Sequence, residues 1–249
     1  MNTQATLQQL RSLKLNGMAS SYEAMLRLPL DQQPHADQLL AQLVESESLH
    51  RQHHRTLAAI KAAKFRYQAA IEEIQYLPER NLDRNLMLRL AESRFIAKGE
   101  NVFITGATGC GKSYIASALG LQACQMGYKV GYFSMTKLLQ RFKLAKADNT
   151  ISKELARIEK MNLIILDDWG LQPLDSAMKI TLLQMIEDRH GRASTIITSQ
   201  LPVANWFDYI AEPTLADAIM DRLIQHVHRL ELKGESMRKK QKNNATLTP

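Results

Sequence analysis

Residues Gly106 to Ser113 read G-A-T-G-C-G-K-S, a full match to the phosphate-binding loop G-x-x-x-x-G-K-[ST]. Such a loop works only where a strand hands over to a helix, and the chain supplies both. Asn101 to Thr105 (N-V-F-I-T) is apolar and β-branched, and Ser113 to Gln125 alternates small and apolar residues as a buried helix does. Gly106, Gly109 and Gly111 let the backbone curl, so that N–H groups along Gly106, Ala107, Thr108, Gly109, Cys110 and Gly111 converge on an anion. Lys112 brings a positive charge to the β- and γ-phosphates, and the Ser113 hydroxyl is a hard oxygen ligand for Mg²⁺. The helix adds its N-terminal N–H groups and dipole. The expectation is a nucleoside triphosphate site.

A second half of that site is legible downstream. Met161 to Asp168 reads M-N-L-I-I-L-D-D, a buried strand that delivers two carboxylates at its C-terminal edge. Asp167 is assigned to the magnesium shell, through water, and Asp168 to orienting or deprotonating the attacking water. The strand S-T-I-I-T-S-Q (Ser194 to Gln200) also ends in polar residues, and Thr198, Ser199 or Gln200 could reach the γ-phosphate. In D-A-I-M-D-R-L (Asp217 to Leu223), Arg222 stands just before the last strand, where an arginine could complete a neighbouring subunit's site in trans.

Around these motifs the core alternates strand and helix. Strands are expected at 102–105, 129–134, 162–167, 194–199 and 227–232, and long helices at 111–126, 136–146 and 176–190. That alternation makes a five-stranded parallel sheet with helices on both faces. From Thr3 to Ile74 the pattern is helical throughout, broken at Gly17 and closed at Pro29 and Pro34, with a second helix capped by Ser20 or Ser21 and a long one from Asp37 to about Lys64. The fold class is therefore α/β with an N-terminal α-helical domain. The expected organisation is a helical DNA- and partner-binding domain over 1–75, a connection over 76–98, the nucleotide-binding core over 99–232 and a basic tail over 233–249.

Charge is unevenly spread along these parts. The chain carries a formal net charge of +7. Residues 1–98 hold thirteen basic against ten acidic side chains, and residues 233–249 five against one, so the core between them is neutral. Excess on the flanks points to a polyanionic partner. Two strips stand out, each without an acid: Arg51 to Arg66, with Arg51, Arg55, Lys61, Lys64 and Arg66, and Lys129 to Lys146, with Lys137, Arg141 and Lys143 among its cations. Both can neutralise backbone phosphates of double-stranded DNA without reading sequence. The histidines His50, His53, His54, His226 and His228 lack partners at metal-ligand spacing. Trp169 and Trp206 are expected to pack locally. Two cysteines cannot build a disulfide framework, and the chain shows neither a signal-peptide layout at Met1 to Leu10 nor an apolar run of about 18 residues. A cytoplasmic protein without a membrane partner is the expectation.

The order of elements resembles the AAA+ class of P-loop ATPases, and nearly the whole chain resembles the IstB-type transposition helper ATPases of bacterial insertion sequences. The residues that carry this are L-K-L-N-G-M (Leu13 to Met18), A-A-K-F (Ala62 to Phe65), E-N-V-F-I-T-G-A-T-G-C-G-K-S, L-D-D-W-G (Leu166 to Gly170), T-S-Q-L-P-V-A-N-W (Thr198 to Trp206), D-R-L (Asp221 to Leu223) and G-E-S-M-R (Gly234 to Arg238). The resemblance implies ATP with Mg²⁺ as cofactors, Gly106 to Ser113 as Walker A, Asp167 and Asp168 as Walker B, Gln200 near the first sensor position and Arg222 as the arginine finger. It further implies ATP hydrolysis, assembly into a higher oligomer on double-stranded DNA, and recruitment or regulation of an IstA-like transposase. Asp168 is one methylene shorter than the glutamate many relatives carry, which implies slow turnover. Too few residues follow Leu232 for the usual helical lid, with Arg238 a candidate substitute. A DnaC-type helicase loader or replication-initiation ATPase is the alternative, and a metabolic P-loop kinase a third, disfavoured for want of an acceptor pocket.

Overall fold

The computed structural model describes residues 3–237. Five strands, β1 (Asn101–Gly106), β2 (Val130–Ser134), β3 (Leu163–Trp169), β4 (Ser194–Ser199) and β5 (Val227–Leu232), form one sheet in the order β2-β3-β4-β1-β5. Every pairing is parallel. The register puts Val102 between Ile196 and His228, so the loop after β1 opens at the sheet's C-terminal edge, one strand in from β5. Because successive side chains on a strand face opposite ways, the apolar strands feed two separate cores. Val102, Ile104, Leu163, Ile165 and Ile196 join one, and Phe103, Ile164, Leu166 and Ile197 the other.

The first core is closed by α4 (Arg84–Ala91), α5 (Arg94–Ala97) and α6 (Lys112–Gln125); the second by α7 (Met135–Ala147), α8 (Ile151–Glu159), α9 (Ser176–Arg189), α10 (Trp206–Ile210) and α11 (Pro213–Ile224). Asp83 caps α4 by accepting from the Asn85 and Leu86 N–H groups, and Asp175 caps α9 at Met178. Trp169 and Trp206 stack into the second core with Phe103 and Tyr209. The expected strands and long helices lie within about two residues of those observed. Helices α4 and α5 are separated at Ser93, whose φ is +56°.

The N-terminal part contains α1 (Thr3–Ser12), α2 (Asn16–Met25) and α3 (Ala36–Ala63). The second helix starts at Asn16, earlier than Ser20, because its cap comes from another helix. The buried Glu47 carboxylate accepts from the Gly17 and Met18 N–H groups at 2.8 and 3.2 Å. The chain divides into two compact units after Ala58, not at residue 75. Ala63, Ala69 and Ile74 are buried with the first core, so this stretch belongs to the sheet-containing unit. Arg238 and the part of the basic tail beyond Met237 lie outside the described residues, as do most of the residues on which the expected lack of a lid rests.

Candidate nucleotide site

The loop from Gly106 to Gly111 turns through φ values of +144°, +84° and +97° at Gly106, Gly109 and Gly111. A Cβ at Gly109 would lie 2.1 Å from the Ser236 hydroxyl, and one at Gly111 2.7 Å from the Arg80 guanidinium, so both positions require glycine for space as well as for conformation. Gly111 stands at the N-terminus of α6, whose free N–H groups face the loop's concavity. Lys112 folds back over the loop, donating to the Gly106 and Ala107 carbonyls at 2.7 and 2.8 Å. A cleft of about 450 Å³ opens there, lined among others by Arg66, Gln75, Lys112, Ser113, Asp168 and Gln200.

Strand β3 delivers its two carboxylates into different settings. Asp167 is wholly buried. Its Oδ1 accepts from Ser113 at 2.7 Å and from Thr198; its Oδ2 accepts from Tyr132 and, at 3.0 Å, from Arg66. Burial pushes this carboxyl up, but the hydrogen bonds from Thr198, Tyr132, Ser113 and Arg66 outweigh it and hold the group below the usual carboxylate range. The Tyr132 phenol is driven up, first by burial and then by Asp167. Asp168 follows at φ +64°, where the β3–β4 ladder slips between Leu166 and Trp169. The irregularity turns its side chain out of the ladder and toward the cleft, while its N–H donates to Thr198 Oγ1 at 3.1 Å. Arg66 also reaches Asp168, at 3.0 Å.

The three sensor candidates separate by contact. Gln200 Oε1 accepts from Thr108 at 2.8 Å, directly on the phosphate loop. Thr198 organises the two aspartates, and Ser199 donates to the Trp169 carbonyl. Arg222 is elsewhere. It pairs with Glu187 and donates to the Ala218 carbonyl. It precedes the N-terminal end of β5, whereas the loop follows the C-terminal end of β1, and these strands are parallel. Arg222 therefore lies at the opposite edge of the sheet from its own phosphate loop.

The basic strips also sort themselves. Arg51 is bonded to Glu47, Arg141 to Glu154 and Lys143 to Asp175. Arg66, placed by the sequence on the DNA strip, has its guanidinium on the two β3 carboxylates instead, since the chain turns back over the cleft after Lys64 (φ +57°). Arg55, Lys61, Lys64 and Lys137 make no ion pair among the described residues. Two groups escaped the sequence reading. Arg80, buried, donates to the Gln75 and Cys110 carbonyls at 2.6 and 2.9 Å and so braces the phosphate loop from behind. Lys129, Lys153, Arg157 and Lys160 surround a groove of about 560 Å³ floored by Ala59, Ala62 and Ala156, and none of the four is ion-paired among the described residues. Lys129 belongs to the second basic strip; interleaved acids at Glu154 and Glu159 hide the other three from a search for basic runs.

Magnesium suits this donor set. Ser113, Asp167 and Asp168 offer hard oxygens only, and few of them, as an ion that leans on phosphate and water for its remaining ligands requires. Among the described residues, no cluster of three or more histidine, cysteine or acidic side chains has metal-binding geometry.

Comparison with known proteins agrees with this architecture. The chain is 39% identical over 240 residues to insertion sequence ATP-binding protein y4pL of Sinorhizobium fredii, covering 96% of this chain and 98% of that one. It is 28% identical over 236 residues to the IS21 ATP-binding protein of Pseudomonas aeruginosa, covering 95% and 89%. Among solved structures, the DnaC helicase loader superposes with a TM-score of 0.57 at 21% identity over 69% of this chain and all of that one. The replication initiator DnaA, bound to AMPPCP and single-stranded DNA, gives 0.59 at 19% over 74% and 57%. At those identities the two structures show a shared AAA+ type P-loop fold. The family described as IstB-like ATP binding protein matches residues 8–245, and the chain belongs to that family.

Proposed function

We propose that the protein is a slow, DNA-binding AAA+ ATPase that, dependent on ATP, assembles on double-stranded DNA and recruits or regulates a partner transposase. The observation that carries this reading is the joining of Lys112 and Ser113 in one cleft, with the buried Asp167 bonded to Ser113 behind it, within a family match that runs almost end to end. The triphosphate of ATP would lie along the loop, its oxygens met by the loop N–H groups and the N-terminus of α6. Lys112 would leave the Gly106 and Ala107 carbonyls for the β- and γ-phosphates. Ser113 and Asp167 would hold Mg²⁺, which would supply positive charge to offset that of the β- and γ-phosphates. Asp168, turned out of the ladder, would take the proton of the attacking water as its oxygen bonds to the γ-phosphorus and the bond to the β–γ bridging oxygen breaks. Gln200, tethered to Thr108, would mark the γ-phosphate's position.

Arg222 points away from its own cleft and would serve a neighbour's, which makes nucleotide the link between subunits. DNA would be held through phosphates, by Arg55, Lys61, Lys64 and Lys137 and by the cations around the α8 groove, without base reading. The names of the insertion-sequence relatives, together with the basic surface, favour a transposase as the protein acted on. The test is nucleotide binding and ATP turnover in purified protein with and without Lys112→Ala. Loss of both, with the thermal melt unchanged, is expected; ATP affinity equal to wild type would remove Lys112 from the phosphates and the reading with it.

A further inference from the structure

Arg66 stands just beyond the end of α3, outside the phosphate-loop motif, yet touches both acids on which a magnesium-dependent site depends. A carboxylate offers about four lone-pair positions, and all four of those on Asp167 are taken: by Ser113, Thr198, Tyr132 and Arg66. Any metal-bound water that is to donate to Asp167 needs one of these donors to leave. Ser113 can stay, because its hydroxyl oxygen keeps lone pairs for the metal while its hydrogen points at Asp167. Thr198 is buried and also receives the Asp168 N–H. Tyr132 is half-buried and packed against the first core, with its ring edge-on to Phe65 at 6.3 Å. Arg66 is different, since its side chain is 42% exposed and can return its donors to water. It is also the donor whose positive charge competes with the metal for the same two carboxylates.

The backbone beneath it is fixed. The Phe65 ring lies so close to Gly120 that a Cβ there would come within 2.5 Å of it, and Lys64 sits in the left-handed region. Only the Arg66 side chain is free to swing. We propose that Arg66 is a positioning residue that acts through Asp167 and Asp168: its guanidinium bridges the two carboxylates, must release them for Mg²⁺·nucleotide to bind, and so sets the magnesium level the site requires. This rests on the ATP-site reading above.

The test uses the full-length protein, a fluorescent ATP analogue at fixed concentration, and Mg²⁺ varied from excess chelator to saturation. In Arg66→Ala, half-maximal binding is expected at about tenfold lower Mg²⁺, the order of one charge-assisted hydrogen bond, with affinity at saturating Mg²⁺ unchanged. Arg66→Lys, with a compact ammonium in place of the fork, should fall between. An unshifted midpoint overturns the proposal. So does affinity lost equally at every Mg²⁺ level, which would make Arg66 a phosphate ligand. Wild type that binds no analogue at any Mg²⁺ level would instead sink the ATP-site reading.

Discussion

Asp167 and Asp168 are neighbours on one strand with opposite surroundings, and the difference assigns their chemistry. Asp167 is buried and saturated with donors; Asp168 is turned outward with fewer partners. Asp168→Asn should therefore keep Mg²⁺·ATP affinity and lose turnover by about a hundredfold or more, as removal of a general base does. Turnover at the parental rate would show that another group takes the proton. The acid limb of stability should report on Asp167. Its folded pKa is depressed, so its contribution is complete above the unfolded value of about 3.9 and is lost as pH falls through the lower folded value. In urea titrations between about pH 4 and pH 2, wild type should lose stability more steeply than Asp167→Asn. The acid pair itself was legible in the sequence because a buried strand rarely ends in two carboxylates without a task. Its donors were not, since Tyr132 and Arg66 come from separate segments and only the fold brings them to Asp167.

At the scale of elements, short segments reach across to finish one another. The start of α2 is capped by Glu47 from α3, which leaves Arg51 paired along the same helix. Glu47→Ala should cost about 1–2 kcal/mol, the range for a lost helix cap, read as a lower urea midpoint with cleavage appearing first in residues 1–58. An unchanged midpoint would show the cap to be idle. Helix α8 contributes Lys153 and Arg157, and its C-cap Lys160, to a cationic groove that also takes in Lys129. Replacing those three by Ala should reduce the log–log salt slope of duplex DNA binding by about 0.9 for each DNA phosphate left without its cation. ATP binding should be spared. A slope and affinity equal to wild type would place the DNA-binding cations at Lys61, Lys64 and Lys137 instead. Helix and strand placement followed from periodicity with boundary errors of a residue or two. The α2 start departed further because its cap lies about thirty residues away in sequence.

For the whole molecule, the parallel sheet decides what a single subunit can do alone. With β1 and β5 parallel, the phosphate loop and Arg222 fall at opposite ends of the strands. If ATP is cleaved at a subunit interface, Arg222→Ala and Asp168→Asn should each be inactive alone and regain part of the activity when mixed. Assembly of both variants would be confirmed by sizing, and failure of every mixing ratio would argue against a finger in trans. The Glu187 partner of Arg222 would have to release it on assembly.

What the sequence by itself determined is the part of this protein written in contiguous residues: the loop from Gly106 to Ser113, the acids closing β3, the alternation of strand and helix, and the family they imply. Each is local, because glycine conformation, strand burial and helix periodicity act over a few residues. Only the tertiary structure decided the rest. It put Arg66 on the two β3 carboxylates instead of the basic strip, seated Arg80 behind the loop, gathered four dispersed cations around one groove, and carried residues 59–75 into the sheet-containing unit. Those outcomes depend on segments distant in sequence meeting in space, where a charge takes the partner that burial and distance offer it.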